Sequence, residues 1–269
     1  HTPGIDAAGE VAESTDARFS RHDAVLVTGY DLGMNTSGGF AEYVRVPAAW
    51  VVPLPAGLSL KESMMLGTAG FTAALSRLRL EAAGVTPESG EVLVTGATGG
   101  LGSLVVALMA GGGYSVTAAT GKTDAADYLK NLGAGTILDR QRILDEPDKP
   151  LLPGRFSAVI DTVGGDILSY AIRASNYAGV VVCCGNAASP SLNLTVYPFI
   201  LRDVRLIGVA SAECPMTERL AAWERLAGPW RLDHLNNLIE EITLTEVAPR
   251  IDPMLAGQHV GRRLIRISE

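Results

Sequence analysis

Residues 91–103 read Glu-Val-Leu-Val-Thr-Gly-Ala-Thr-Gly-Gly-Leu-Gly-Ser, followed by the apolar Leu104, Val105, Val106 and Leu108. The first apolar run predicts a buried strand and the second a helix over 100–109. Gly96, Gly99 and Gly102, lacking a Cβ, let the backbone turn tightly between them and let helix pack on strand. Such a turn aims free N–H groups and the positive end of the helix dipole at one point, the geometry that seats a dinucleotide pyrophosphate. Glycine-rich turns also join strands to helices without binding anything. Here the strand before and the helix after supply the context that the binding motif requires.

The alternation continues, with strands expected at Tyr114–Thr120, Thr136–Arg140, 156–163, 179–184 and 204–210, and a helix at 165–176. This order implies an α/β fold, a doubly wound parallel sheet of the Rossmann type covered by helices on both faces, with its ligand crevice at the carboxyl ends of the strands. Asp161-Thr162-Val163-Gly164 and Cys184-Gly185-Asn186 fall at such ends, where a nicotinamide ribose and ring would extend. Asp161 reads equally as a helix cap and as a ligand. Cys183 and Cys184 read as buried structural thiols, with no histidine beside them in sequence.

The end of the second strand decides between cofactors. An NAD site places an acidic residue there, about 20 residues beyond the first glycine, to hold the ribose 2′-hydroxyl. This chain instead has Thr120, Gly121 and Lys122, with Arg140 ending the neighbouring strand. A hydroxyl and two cations suit a 2′-phosphate, so NADPH is the expected cofactor. Taken singly, Lys122 also reads as an ordinary solvated lysine at a helix start.

Before residue 60 the pattern differs. Val11, Val25–Thr28, Phe40–Val46 and Trp50–Leu54 predict short strands split by turns, as in a small barrel or sandwich, and 269 residues suffice for two domains. A helix is expected over Leu60–Leu80, with small residues from Gly67 to Thr72 that admit a close backbone or a flat ring. Further helices are expected at Glu218–Ala227, Leu232–Ile239 and 245–256, and a last strand at Arg263–Ile267.

The net charge of −7 argues against nucleic acid or an anionic membrane as partner. No apolar stretch reaches the roughly 20 residues of a membrane span. The first residues lack the basic and apolar segments of a secretory leader. Three cysteines build no disulfide framework, so the cytoplasm is the expected compartment. His1, His22, His234 and His259 are scattered, and no metal site is expected.

Leu93-Val-Thr-Gly-Ala-Thr-Gly-Gly-Leu-Gly-Ser103, Gly67-Thr-Ala-Gly-Phe-Thr-Ala73, Pro198-Phe-Ile-Leu-Arg202 and Gly261-Arg262 resemble the zinc-independent medium-chain reductases. More narrowly, they resemble the acryloyl-CoA reductase branch, often labelled quinone oxidoreductases, along nearly the whole chain. The resemblance implies a GroES-like β-barrel domain from residues 1–62 and 213–269 around a Rossmann domain of residues 63–212, with NADPH in the cleft and a homodimer. By position it makes Thr98, Gly99, Gly100 and Leu101 the pyrophosphate loop and Thr120, Gly121, Lys122 and Arg140 the adenosine-phosphate pocket. Asn186 and Val209 would approach the nicotinamide, while Thr68 and Thr72 would shape the hydride site; Thr162 and Gly185, at the strand ends named above, join the cofactor-binding residues. Zinc-dependent relatives carry His and Glu where this chain has Ile5 and Asp6, so no catalytic zinc is expected. Against ordinary members of the family, about 55–60 residues of the barrel would precede His1, among them a tyrosine-bearing loop at the nicotinamide.

The activity so implied is hydride transfer from NADPH to the β-carbon of an α,β-unsaturated thioester such as acryloyl-CoA, with protonation of the α-carbon. The site needs alignment and donors for the developing enolate more than a strong base. Tyr30 and Tyr43 are candidate proton donors that read more simply as packing, so no catalytic residue is named. Reduction of a quinone or enone on the same scaffold, and NADPH binding without turnover, remain alternatives.

Overall fold

A computed structural model describes residues 1–233, 235 and 239–267. The chain divides into two compact units, residues 1–71 with 210–269, and residues 72–209.

In the first unit Asp6–Glu10 (β1) pairs antiparallel with Ala24–Thr28 (β2), which pairs with Val52–Pro53 (β3). The helix Leu60–Ala82 (α1) follows and crosses from residue 71 to 72. The second unit holds Glu91–Val94 (β4), Gly100–Gly111 (α2), Ser115–Thr120 (β5), Ala126–Asn131 (α3), Thr136–Asp139 (β6) and Arg140–Leu144 (α4). It continues with Phe156–Asp161 (β7), Gly165–Arg173 (α5), Ser175–Cys183 (β8), Tyr197–Arg202 (α6) and Arg205–Gly208 (β9). The chain then returns to the first unit with Met216–Ala227 (α7), Ile239–Thr243 (β10), Ala248–Leu255 (α8) and Arg262–Arg266 (β11), where β10 and β11 pair in parallel.

The six-stranded sheet runs β6-β5-β4-β7-β8-β9 and every pairing is parallel. Its order reverses between β4 and β7, and a doubly wound sheet opens its ligand crevice there. Buried on both faces, the strands read as continuous apolar runs: Val92, Leu93 and Val94, and Ala158, Val159 and Ile160, are fully buried. Phe156, Ile172, Val181 and Val204 join Leu93 and Val159 in the core. The fold is therefore α/β of the Rossmann type. In the first unit the five described strands form a three-stranded and a two-stranded sheet, short of a closed barrel.

Several boundaries differ from those expected. Phe40–Val46 forms no strand; Phe40 N donates to Pro3 O at 3.0 Å, but no ladder follows among the described residues, and Tyr43 is 79% exposed. Conversely β1, Asp-Ala-Ala-Gly-Glu, is a strand where only Val11 was expected. Its residues have low β-propensity, and the five-residue ladder with β2 decides. Strand β7 stops at Asp161 rather than 163, and β8 starts at Ser175, ahead of the expected 179, with an irregular register opposite Phe156 and Ala158. Arg140 opens α4 instead of ending β6, because the Asp139 carboxylate accepts from Gln141 N at 2.9 Å and caps the helix. Half of the residues of the helix expected at Leu232–Ile239 lie outside those described, and Ile239 itself begins β10. Helix α1 is interrupted at Gly67 (φ 52°, ψ −155°).

Candidate active site

In the second unit the turn after β4 is held by its own glycines. Gly96 adopts φ 60°, and a Cβ at Gly102 would sit 2.2 Å from Gly96 O, so only glycine lets α2 leave its strand this closely. Gly99 is the N-cap of α2 and Gly100 its first residue, and no side chain caps the helix. Its first N–H groups are thus left without a side-chain partner, an arrangement able to receive an anion. Thr98 is buried, its Oγ1 3.1 Å from Thr120 Oγ1, and Ala97 N donates to Ala119 O at 3.1 Å. These bonds tie the loop of Thr98, Gly99, Gly100 and Leu101 to the carboxyl end of β5.

At that end Thr120 Oγ1 accepts from Lys122 N at 3.0 Å. A Cβ on Gly121 would lie 2.7 Å from Arg140 Cζ, so the guanidinium stacks directly on the glycine backbone. Partial burial, and then the Arg140 charge, push the Lys122 ammonium below its ordinary range. Two cations held this close favour a dianion between them. The residues present fit a dinucleotide carrying an additional phosphate: a helix N-terminus for its pyrophosphate, and a hydroxyl and two cations one strand away.

On the other side of the switch point, the loop after β7 is fixed from below. Thr162 N donates to Thr95 Oγ1 at 3.1 Å and Thr162 Oγ1 donates to Thr95 O at 2.9 Å. Asp161 is fully buried; its carboxylate accepts from Thr95 Oγ1 at 2.6 Å and from Gly164 N at 2.8 Å. Burial raises its pKa. Of its two readings, the structure gives Asp161 the local structural one. A Cβ on Gly185 would meet Thr162 O at 2.5 Å, which brings the end of β8 against the end of β7. Asn186 is exposed beside them, and Val209 N donates to Cys183 O at 3.0 Å. Cys184 donates to Asp161 O and burial pushes its thiol up to about 12, so it is no nucleophile. Thr72, also in this unit, is buried, and its carbonyl accepts from Ser76 Oγ at 2.8 Å.

Thr68 belongs to the first unit, and there the sequence reading missed its partner. Thr68 N donates to Asp6 Oδ2 at 2.8 Å and Thr68 Oγ1 donates to Asp6 Oδ1 at 2.5 Å. The break at Gly67 gives the rest of α1 a new N-terminus, and Asp6 caps it from β1. Burial raises the Asp6 carboxyl, opposed by the two Thr68 bonds and by the charges of Arg262 and Arg219. The one signal in the sequence is Asp6 itself, an acidic residue at the position where the resemblance puts the Glu of zinc-dependent relatives. Tyr30 stacks on Trp50 at 5.3 Å and under the fully buried Arg219, whose Cζ lies 4.4 Å from its ring, so Tyr30 is a packing residue. Among the described residues no three His, Cys, Asp or Glu side chains come together as a metal-ligand set.

The family described as zinc-binding dehydrogenase matches residues 100–227. Acrylyl-CoA reductase AcuI of Ruegeria pomeroyi is 41% identical, over 100% of this chain and 81% of the relative. YhfP of Bacillus subtilis, which carries the provisional name quinone oxidoreductase, is 44% identical over 98% of this chain and 80% of its own length. Among solved structures, Escherichia coli K-12 YhdH with bound NADPH superposes with a TM-score of 0.96 at 42% identity, covering 99% of this chain and 82% of that one. The chain belongs to the medium-chain dehydrogenase/reductase family of oxidoreductases, in the branch that holds the acrylyl-CoA reductase and YhfP relatives.

Proposed function

We propose that this oxidoreductase uses NADPH to reduce the carbon–carbon double bond of an α,β-unsaturated acyl thioester of the acryloyl-CoA class, without zinc. The observation that carries the cofactor choice is the cradle of Thr120, Gly121, Lys122 and Arg140 beside the α2 N-terminus. NADPH bound to the YhdH relative and the acrylyl-CoA reductase name of another support the same reading. Thr98, Gly99, Gly100 and Leu101 hold the pyrophosphate; Thr162, Gly185, Asn186 and Val209 accompany the nicotinamide end; Thr68 and Thr72 border the hydride site. When bound, the cofactor supplies a hydride, and the chain's own residues bind, orient and exclude water around it. The absence of zinc is supported by Ile5 and Asp6, which replace the His and Glu of zinc-dependent relatives.

The working unit in this proposal is a homodimer. Among the described residues strand β9 ends the six-stranded sheet with one edge unpaired, and Leu206 on it and Tyr197, Ile200 and Leu201 on the preceding helix α6 are exposed. Among the described residues no helix is long and apolar enough to cross a membrane.

NADPH oxidation with acryloyl-CoA and with a benzoquinone, each repeated with NADH, tests the proposal. Turnover of the thioester with NADPH far ahead of NADH is the expected result. Turnover of the quinone alone would favour the second reading, to which the YhfP name points, and tight NADPH binding with no acceptor reduced would leave only a binding role.

A further inference from the structure

The two hydrogen bonds from Thr68 to Asp6 have a chemical consequence. Both run toward the carboxylate: Oγ1–H to Oδ1 at 2.5 Å and N–H to Oδ2 at 2.8 Å. In this arrangement the Thr68 hydroxyl spends its hydrogen on Asp6. A proton on Oδ1 reverses that bond, since the carboxyl must then donate to Oγ1, and the hydroxyl hydrogen turns to another acceptor. The Asp6–Thr68 pair thus has two hydrogen-bonding states, which differ in where the Thr68 hydroxyl hydrogen points.

We propose that Asp6 is a positioning residue that sets the direction of the Thr68 hydroxyl and, through it, loads the proton that ends on the α-carbon of the substrate. The inference rests on the reading above, in which Thr68 borders the hydride site. After hydride reaches the β-carbon, the new C–H bond at the α-carbon forms with the Thr68 hydroxyl hydrogen. The Oδ1–H bond of Asp6 breaks as its proton moves to Thr68 Oγ1. Asp6 is left as a carboxylate, and water returns one proton before the next turnover.

The surroundings suit both states. Gly67, at φ 52°, opens the helix so that Thr68 N and Oγ1 face one carboxyl together, and a Cβ on Gly67 would lie 2.5 Å from Asp6 Oδ2. Burial favours the protonated form. The charges facing Asp6, Arg262 from β11 and Arg219 from α7, favour the ionised one, as do the Thr68 bonds from α1. Strand β2 places the uncharged Thr28 opposite Asp6 in the ladder. Arg262 is itself pushed below its ordinary range by burial, and its Nε is buried with no hydrogen-bond partner, so the site does not bind the carboxylate as tightly as an ion pair can.

The experiment compares wild type, Asp6→Asn, Thr68→Val and Thr68→Ser by two readouts. The first is the pH profile of kcat with NADPH and acryloyl-CoA. Wild type and Thr68→Ser should lose rate as pH rises and Asp6 ionises; Asp6→Asn and Thr68→Val should lack that limb and fall about 100-fold, the scale of a positioned proton transfer. The second is the infrared C=O band of a protonated carboxyl in the protein without cofactor. Asp6→Asn should remove one component of it, the buried Asp161 carboxyl being free to supply another, and Thr68→Val, being isosteric, should keep the fold while moving the midpoint of the Asp6 component to higher pH. A limb that survives in Asp6→Asn or in Thr68→Val, or a band unmoved in Thr68→Val, overturns the inference while the proposed function stands. A wild type inert toward every enoyl thioester overturns both.

Discussion

The Arg140 guanidinium rests on the Gly121 backbone, 2.7 Å from where a Cβ would begin, and so shares one small surface with Lys122. A 2′-phosphate there would meet both cations. Lys122→Ala and Arg140→Ala should each weaken NADPH binding about 10-fold or more, the worth of one hydrogen bond to a charged group, and leave NADH binding unchanged. Fluorescence titration of both cofactors measures the ratio.

Two glycines near the cofactor should respond differently to alanine. At Gly102 the intruding methyl meets backbone, Gly96 O at 2.2 Å, and neither partner can yield without separating α2 from β4. Gly102→Ala should lower Tm and abolish cofactor binding together. At Gly121 the methyl meets the end of a long side chain, so Gly121→Ala should keep Tm and lose only the preference for NADPH. Scanning calorimetry beside the titration separates the two.

Gly67→Ala combines a left-handed backbone with a methyl pressed on the Asp6 carboxylate. A cost of about 1–3 kcal/mol in unfolding free energy is expected from the backbone alone. Urea denaturation checks it, with Gly84→Ala, where a Cβ meets nothing within 4 Å at φ 88°, as the comparison for strain without contact.

Glu91 opens β4, accepting from Arg155 Nε at 2.9 Å and from Thr117. Burial raises its carboxyl, but the Arg155 and Thr117 bonds and the Arg155 charge outweigh that, and its pKa lies below the ordinary 4.5. A depressed carboxylate contributes stability above its unfolded pKa and loses it as pH falls through the folded value. Glu91→Gln should therefore cost about 1 kcal/mol at pH 7 and progressively less below pH 4.5, which chemical denaturation at several pH values will show.

If the chain pairs through this edge as proposed, Leu206→Arg on the edge strand β9, where Leu206 is 39% exposed, should shift the protein toward monomer. Sedimentation velocity reports the change, and an unchanged sedimentation coefficient would remove β9 as the contact.

The Rossmann half was legible because its information is local. Val92 to Val94 and Leu104 to Leu108 announce strand and helix by themselves, and the glycines between them have one geometric purpose. Thr120, Gly121, Lys122 and Arg140 could be joined on paper because strand order puts the ends of β5 and β6 side by side. The β-rich half resisted for the opposite reason. Asp6–Glu10 is a strand only through its partner, and Phe40–Val46 has a strand's pattern without a ladder. Asp6 and Thr68 lie 62 residues apart, and nothing in either neighbourhood names the other.

Arg219 donates through Nη1 to Thr28 O at 2.7 Å and through Nη2 to Ser211 O and Ala212 O, with its guanidinium between Tyr30 and Phe71. One fully buried side chain therefore ties a residue near the beginning of the chain to a helix 191 positions later. During synthesis the first 71 residues wait, their carbonyls and rings without this guanidinium, while the whole of residues 72–209 emerges and is free to fold as a nested unit. The ribosome thus delivers the second unit complete before the first has its central arginine, and the order of assembly is written into where Arg219 sits in the chain.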